Sequence, residues 1–388
     1  MNEFEKQFQE LLNFLKFEDY SILTKRIIDC TLDTENRDFY IKTVAFLNWL
    51  DTNENKTTEK VEKYQTLLDE LYAFLSQKTL AQPNKLVSLN AVEKVYGSKQ
   101  FALGPIDMEL YQGDILGLVG ENGNGKTTLL RLLCGELAPT KGELKYHFKY
   151  EDQYDLRTQL VYIPQRTNTW YGTLLENLQF TAVSYGYKPN EIDLIVELTI
   201  SRLGLRKFRN HSWKSLSSGY KMRFELARML LRKPQILLID EPLANLDIIA
   251  QQTVLEDFKS IAKSPFRPIG IILSSQQLYE VEKSSDQVIF LKNGIQKNLR
   301  ETADTPNEEN PSVEKLIIEF ESDWKQDVLA DLFKSLAIES LQFNGGTYIA
   351  TFPKEKAVHD FMQLVATQKV PLLYFRNISN STRRFFVS

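Results

Sequence analysis

A chain of 388 residues is longer than one hydrophobic core comfortably serves, so two or three domains of about 100–200 residues are expected. Its 25% charged and 43% hydrophobic residues suit a soluble globular fold, and a net charge of −4 gives no electrostatic case for a nucleic-acid partner. Cys30 and Cys134 lie far apart without metal-ligand spacing, which argues against a disulfide framework or zinc site and fits a reducing cytoplasm. No apolar run approaches the roughly 18–20 residues that span a bilayer. The start, MNEFEKQFQE, has no basic segment followed by an apolar core, so neither a secretory leader nor a membrane-crossing chain is expected.

Residues 3–78 read as helical. Phe4, Phe8, Leu11, Leu12 and Leu15, and later Val61, Tyr64, Leu67, Leu68, Leu71 and Leu75, recur at three and four with charges between them. Breaks at LDTEN and DTNENKTT suggest about four helices, packed as a bundle over residues 1–82 and ending at Pro83-Asn84. The segment carries no recognisable chemistry, which favours a packing or docking role.

From Leu86 the pattern changes to short runs, LVSLN, ILGLVG, QLVYIP, QILLID, IGIILSS and QVIFLKNG, separated by helices. Several are almost wholly apolar, as expected for strands of a parallel sheet covered on both faces. An α/β domain over 86–300 is therefore expected, followed by a polar linker over 301–313. Residues 314–388 then read β-α-β-β-α-β, a small ferredoxin-like α+β module with Asn344-Gly345-Gly346 as a turn.

Chemistry concentrates in GENGNGKTT, residues 120–128, which satisfies G-x-x-x-x-G-K-[ST] between the strand ILGLV and the helix LLRLLCGE. Gly120, Gly123 and Gly125 let the backbone N–H groups of Glu121, Asn122, Asn124 and their neighbours turn toward phosphate oxygens at a helix N-terminus. Lys126 would reach the outer phosphates, and Thr127, beside Thr128, would ligand Mg²⁺. QILLIDEP supplies the acidic counterpart: Asp240 to hold the metal and Glu241 to polarise an attacking water. Both motifs would converge at the carboxyl edge of one sheet.

LSSGYKMRFELARMLLRKP, residues 216–234, completes a set of motifs that resembles the ATP-binding cassette (ABC) ATPases over about residues 86–300. Leu216, Ser217 and Gly219 match the family's LSGGQ signature, whereas Ser218 and Tyr220 depart from it. The resemblance implies that Ser217 and Gly219 cap the γ-phosphate of a nucleotide held by the opposite subunit. It also implies that Gln165 is the Q-loop glutamine near the metal, Tyr96 the aromatic that stacks on adenine, and Asp247 the D-loop aspartate at the dimer interface. QRTNTWYGTLLENLQF would open a helical subdomain that receives a permease, with Trp170 and Tyr171 as candidate contacts. ATP and Mg²⁺ are the implied cofactors. The implied partners are a second ABC subunit, identical or not, and an integral membrane permease, which would hold the chain at the inner face of the cytoplasmic membrane. The C-terminal module resembles the regulatory or dimer-forming extension of exporter-type cassettes. The competing reading is a soluble regulatory ABC ATPase acting on a ribosome or protein complex; a single cassette and the lack of a basic stripe weigh against it.

One position departs from the family in a way that bears on rate. After IILSS the switch histidine is replaced by Gln276, and His147, His211 and His359 all lie elsewhere. Glutamine can donate a hydrogen bond to phosphate but cannot carry charge as imidazole can, so slow turnover is expected. Gln277 reads as a helix-start residue.

Overall fold

In a computed structural model the chain is described over residues 2–53, 57–97, 102–166, 169–244, 246–276, 281–282, 284–297, 315–344 and 346–379. The described residues form two compact units, one running to Gln276 and resuming over Ser284–Gln296, the other comprising residues 281–282 and those from Lys297 onward. The expected linker over 301–313 lies outside the described residues.

The first unit begins with α1 (Glu3–Lys16), α2 (Tyr20–Thr34), α3 (Arg37–Thr52) and α4 (Thr57–Leu75). Asn2 and Glu5 close a capping box on α1, while Asp19 and Asn36 accept backbone N–H groups at the starts of α2 and α3. The apolar residues spaced at three and four meet inside the bundle: Phe4, Phe8, Leu11 and Leu15 pack with Leu23, Ile27, Tyr64, Leu68 and Leu71.

An α/β part follows: β1 (Lys85–Val95), β2 (Ala102–Tyr111), β3 (Ile115–Val119), α5 (Lys126–Leu133), β4 (Lys141–Tyr146), α6 (Gln153–Gln159) and β5 (Leu160–Ile163). Three helices, α7 (Leu174–Ser184), α8 (Ile192–Arg202) and α9 (Ser218–Leu230), intervene before β6 (Ile236–Ile239). The unit closes with α10 (Ile248–Ala262), β7 (Gly270–Ser275), β8 (Gln287–Lys292) and β9 (Ile295–Lys297). The main sheet runs β5-β6-β7-β3-β8-β9, with parallel pairing from β5 through β8. Every residue of β3, β6 and β7 is buried, which explains the apolar runs of β3, β6 and Ile271–Leu273. An antiparallel sheet, β2-β1-β4, lies apart from it in the hydrogen-bonding order. Its strands β2 and β4 were not evident from the sequence, because β2 contains Pro105 and alternates polar with apolar, and β4 is mostly exposed.

The four N-terminal helices belong to the same compact unit as this α/β part. Arg202, at the end of α8, is buried and donates to Asp29 of α2 at 2.6 Å and to Asp257 of α10 at 2.6 Å, and also to Ser260. Lys25 of α2 adds a contact to Asp257 at 3.1 Å. Beyond α10, Arg267 and Ser264 both donate to the buried Asp33 of α2, at 2.8 and 3.0 Å. Burial alone would lower the Arg202 pKa, but Asp29 and Asp257 outweigh it and hold the guanidinium charged. One cation thus ties the bundle, the inserted helices and the helix beside the sheet.

In the second unit β10 (Leu316–Glu321), α11 (Gln326–Phe333), β11 (Ser340–Asn344), β12 (Thr347–Phe352), α12 (Val358–Thr367) and β13 (Tyr374–Asn377) form an antiparallel sheet ordered β11-β12-β10-β13. Leu329, Phe333, Phe361 and Val365 from the helices pack with Ile318, Phe320, Ala350 and Phe352. The β-α-β-β-α-β order is the one expected. Among the described residues, no helix is long and apolar enough to cross a membrane.

Removing Arg202 takes the guanidinium from Asp29 and leaves the buried Asp257 with Lys25 alone, so Arg202→Ala should cost about 3–5 kcal/mol in urea unfolding. A loss below about 1 kcal/mol, the range of an exposed pair, would contradict this role.

Candidate nucleotide site

The site is a consequence of strand order. With β6, β7 and β3 adjacent and parallel, the segments after Val119, Ile239 and Ser275 leave the sheet side by side. The first becomes the glycine-rich loop. Gly120 packs so closely on β8 that a Cβ there would lie 2.5 Å from the Leu291 carbonyl oxygen. Gly123 and Gly125 have φ of 84° and 97°, left-handed values natural to glycine, and Gly125 is the N-cap of α5.

Lys126, Thr127 and Thr128 open α5 and, with Glu121, Asn122, Gly123, Gly125, Gln165 and Glu241, line a cleft of about 270 Å³. The Lys126 ammonium is buried, donates to the Gly120 carbonyl at 2.6 Å and lies 3.2 Å from Glu241 Oε1. Thr127 donates to Asp240 Oδ2 at 2.7 Å. Asp240, buried at the end of β6, also accepts from Ser274 Oγ at 2.5 Å and Tyr162 OH at 3.3 Å. The Tyr162 phenol stays protonated and a donor, because burial first and the Asp240 charge second raise its pKa. Glu241 adopts φ 51°, its N–H donating to Ser274 Oγ at 2.9 Å and its carboxylate accepting from the Gln276 backbone N–H at 3.3 Å.

The outlying positions are less uniform. Gln165 is exposed and reaches the cleft. Asn124 turns away from it, its side chain accepting from the Asn293 N–H at 3.0 Å in the β8–β9 turn. Tyr96, 40% exposed, is not among the described residues that line the cleft. Ser217 is the exposed N-cap of α9, and Gly219 lies in its first turn. Asp247 caps α10 by accepting from Ala250 at 2.8 Å. Gln276 is exposed at the end of β7, and Gln277 lies outside the described residues.

The ABC transporter family profile matches residues 103–244. An uncharacterised ABC transporter ATP-binding protein of Methanocaldococcus jannaschii is 33% identical over 220 residues, spanning 54% of this chain and 84% of that protein. This chain belongs to the ABC transporter ATP-binding proteins. The cassette is also 30% identical to the zinc import ATP-binding protein ZnuC of Rickettsia bellii, over 57% of this chain and 89% of that one. A solved structure of cbiO1 from Clostridium perfringens, part of the ABC transporter complex cbiONQ, matches the fold with a TM-score of 0.51 at 24% identity. That match covers 55% of this chain and 88% of that one.

Within the cassette, the inserted segment accounts for one departure from the family's signature and for one of the two candidate permease contacts. Tyr220 is packed inward, its ring 4.0 Å from that of Phe208. Trp170 is held on α9, its indole N–H donating to the buried Glu225 at 2.6 Å under the Arg228 guanidinium 3.9 Å away, whereas Tyr171 is 88% exposed. Sequence reading missed Ser274 and Tyr162 as partners of Asp240. The available signal was the pair of serines that ends the apolar run of β7.

We expect Gly120→Ala to weaken ATP binding at least about tenfold, roughly 1.4 kcal/mol, because the new methyl group meets backbone and must displace the loop. Affinity within about twofold of wild type, measured by fluorescent-nucleotide titration of folded protein, would contradict the cradle geometry.

Proposed function

We propose that this ABC ATPase binds ATP in the cleft of Lys126, Thr127, Asp240 and Glu241 and couples its hydrolysis to a separate membrane permease. The observation that carries the reading is the pairing of the two motifs across β3 and β6: Thr127 with Asp240 at 2.7 Å and Lys126 with Glu241 at 3.2 Å. A P-loop lysine beside an acidic strand end suits polyphosphate chemistry and has little structural purpose otherwise.

The donor set fits Mg²⁺. A hydroxyl and a carboxylate in contact, with the Gln165 amide at the same cleft, are hard oxygen ligands, and Mg²⁺ commonly takes one or two of these together with substrate phosphates. Thr127, Asp240 and Gln165 would hold it, and its chemistry would be to neutralise charge on the phosphates. Lys126 and the N–H groups of residues 121–127 bind and orient the triphosphate. Glu241 takes a proton from water as the water oxygen bonds to the γ-phosphorus and the bond to the ADP oxygen breaks.

Ser217 and Gly219 at the start of α9 would meet the nucleotide of a second ABC subunit, with Asp247 near the same interface. The exposed Tyr171, Phe180 and Val183 on and before α7 would receive the permease, which would hold the chain at the inner membrane face. Tyr96 would stack on adenine. Gln276 would stand at the γ-phosphate in place of histidine and slow turnover, although its backbone N–H still contacts Glu241.

Glu241→Gln should keep ATP binding, reduce hydrolysis at least about a hundredfold and accumulate an ATP-bound dimer on size-exclusion chromatography. Undiminished hydrolysis would overturn the assignment. In the assembled complex, Gln276→His should raise the hydrolysis rate several-fold, and an unchanged or lower rate would sink the slow-switch idea. Affinity purification from detergent extracts should recover a polytopic membrane protein; recovery with ribosomes or soluble complexes alone would favour the permease-free alternative.

A further inference from the structure

We propose that Ser274 is a positioning residue for hydrolysis: its single buried hydroxyl fixes the Asp240 carboxylate and the Glu241 backbone relative to each other. The inference rests on the reading of Asp240 and Glu241 as the metal-binding and water-activating carboxylates.

Ser274 is fully buried in β7, after the apolar run Ile271, Ile272 and Leu273. The last registered pair between β6 and β7 is Ile239 with Leu273, so the next residues along the two strands are Asp240 and Ser274. A hydroxyl at such a place is costly unless its hydrogen-bonding capacity is used. Here it donates to Asp240 Oδ1 at 2.5 Å and accepts from the Glu241 N–H at 2.9 Å. A serine hydroxyl has one proton and two lone pairs, so commitment of the proton to Asp240 leaves lone pairs for Glu241. The two contacts orient each other.

Glu241 needs such support because it is a non-glycine residue at φ 51°, a conformation that surrounding contacts must sustain. Its side chain is steered separately, by Lys126 at 3.2 Å and the Gln276 N–H at 3.3 Å. Asp240 is likewise held from several elements: Thr127 on α5 and Tyr162 on β5 take one oxygen, and Ser274 on β7 takes the other. Loss of the Ser274 hydroxyl would leave the phosphate cradle intact, since Ser274 does not line it. It would free the left-handed turn that aims Glu241 and unfasten one oxygen of Asp240. Ser274 should therefore act on kcat and not on nucleotide affinity.

The test compares Ser274→Ala, Ser274→Thr, Tyr162→Phe and Glu241→Gln in the full chain, with steady-state ATP hydrolysis and fluorescent-ATP titration as readouts. Ser274→Ala should lower kcat about tenfold or more while leaving the ATP Kd within about twofold. Ser274→Thr, which keeps the hydroxyl, should recover most of that rate. Tyr162→Phe should show a smaller fall, since Asp240 Oδ2 keeps Thr127. Should the threonine not be accommodated, Ser274→Cys, with its poor donor, should match alanine in rate and wild type in affinity. An alanine variant with wild-type kcat, or one whose ATP affinity and kcat fall together, would overturn the inference. The control separates the two levels: if Glu241→Gln abolishes hydrolysis and Ser274→Ala leaves it intact, only the positioning role fails. If Glu241→Gln also leaves it intact, the underlying site reading fails.

Discussion

The parallel pairing of β7 with both β3 and β6 is the constraint on which the rest depends. It places the ends of three buried strands next to one another, so that a loop rich in backbone donors and the Glu241 turn line one cleft, with the buried Asp240 carboxylate bonded to Thr127 of its lining. The loop and the acids it meets are more than a hundred residues apart in the sequence. Lys126 and Glu241 are brought to 3.2 Å only because β3 and β6 both flank β7. A slip in this register would separate the cation from the acid and leave buried charges without partners, a far larger cost than any single contact at the site.

A second constraint is electrostatic. Arg202 is buried between Asp29 and Asp257 and so joins helices that differ in their relation to the site: α2 in the bundle, α8 among the inserted helices, and α10, which follows the segment after β6. The same inserted helices carry the signature-like start of α9, held to Trp170 through Glu225. The bundle is thus in contact with the frame that presents Ser217 and Gly219. Its carboxylates make that connection together with its apolar core, on which Phe266 packs with its ring 5.4 Å from that of Phe4, and this distinguishes it from an appended domain held by a flexible tether.

Much of this was legible in the sequence. The glycine-rich loop, its lysine and hydroxyl, and the acidic strand end are local patterns whose residue types follow from phosphate chemistry, so they can be read without knowing the fold. The apolar runs of β3 and β6, and of β7 up to Leu273, announced a covered parallel sheet for the same reason. What could not be read was contact across strands. Ser274 looks like an unremarkable strand residue until register sets it beside Asp240, and Asn124 looks like a loop donor until the β8–β9 turn takes its side chain. β2 and β4 escaped because an edge strand with proline or polar faces lacks the apolar pattern that marks buried ones. The placement of the bundle was hidden too, since Arg202 and Asp29 are ordinary charged residues on helical patterns, far apart in the chain.

The central claim is that Thr127 and Asp240 serve one ligand group together. The most direct measurement is the gain in ATP affinity on adding Mg²⁺, compared for wild type, Thr127→Ala, Asp240→Asn and the double variant. The account expects each single change to remove most of that gain and the second change to add little. Independent, additive losses, or a gain that neither change reduces, would contradict it.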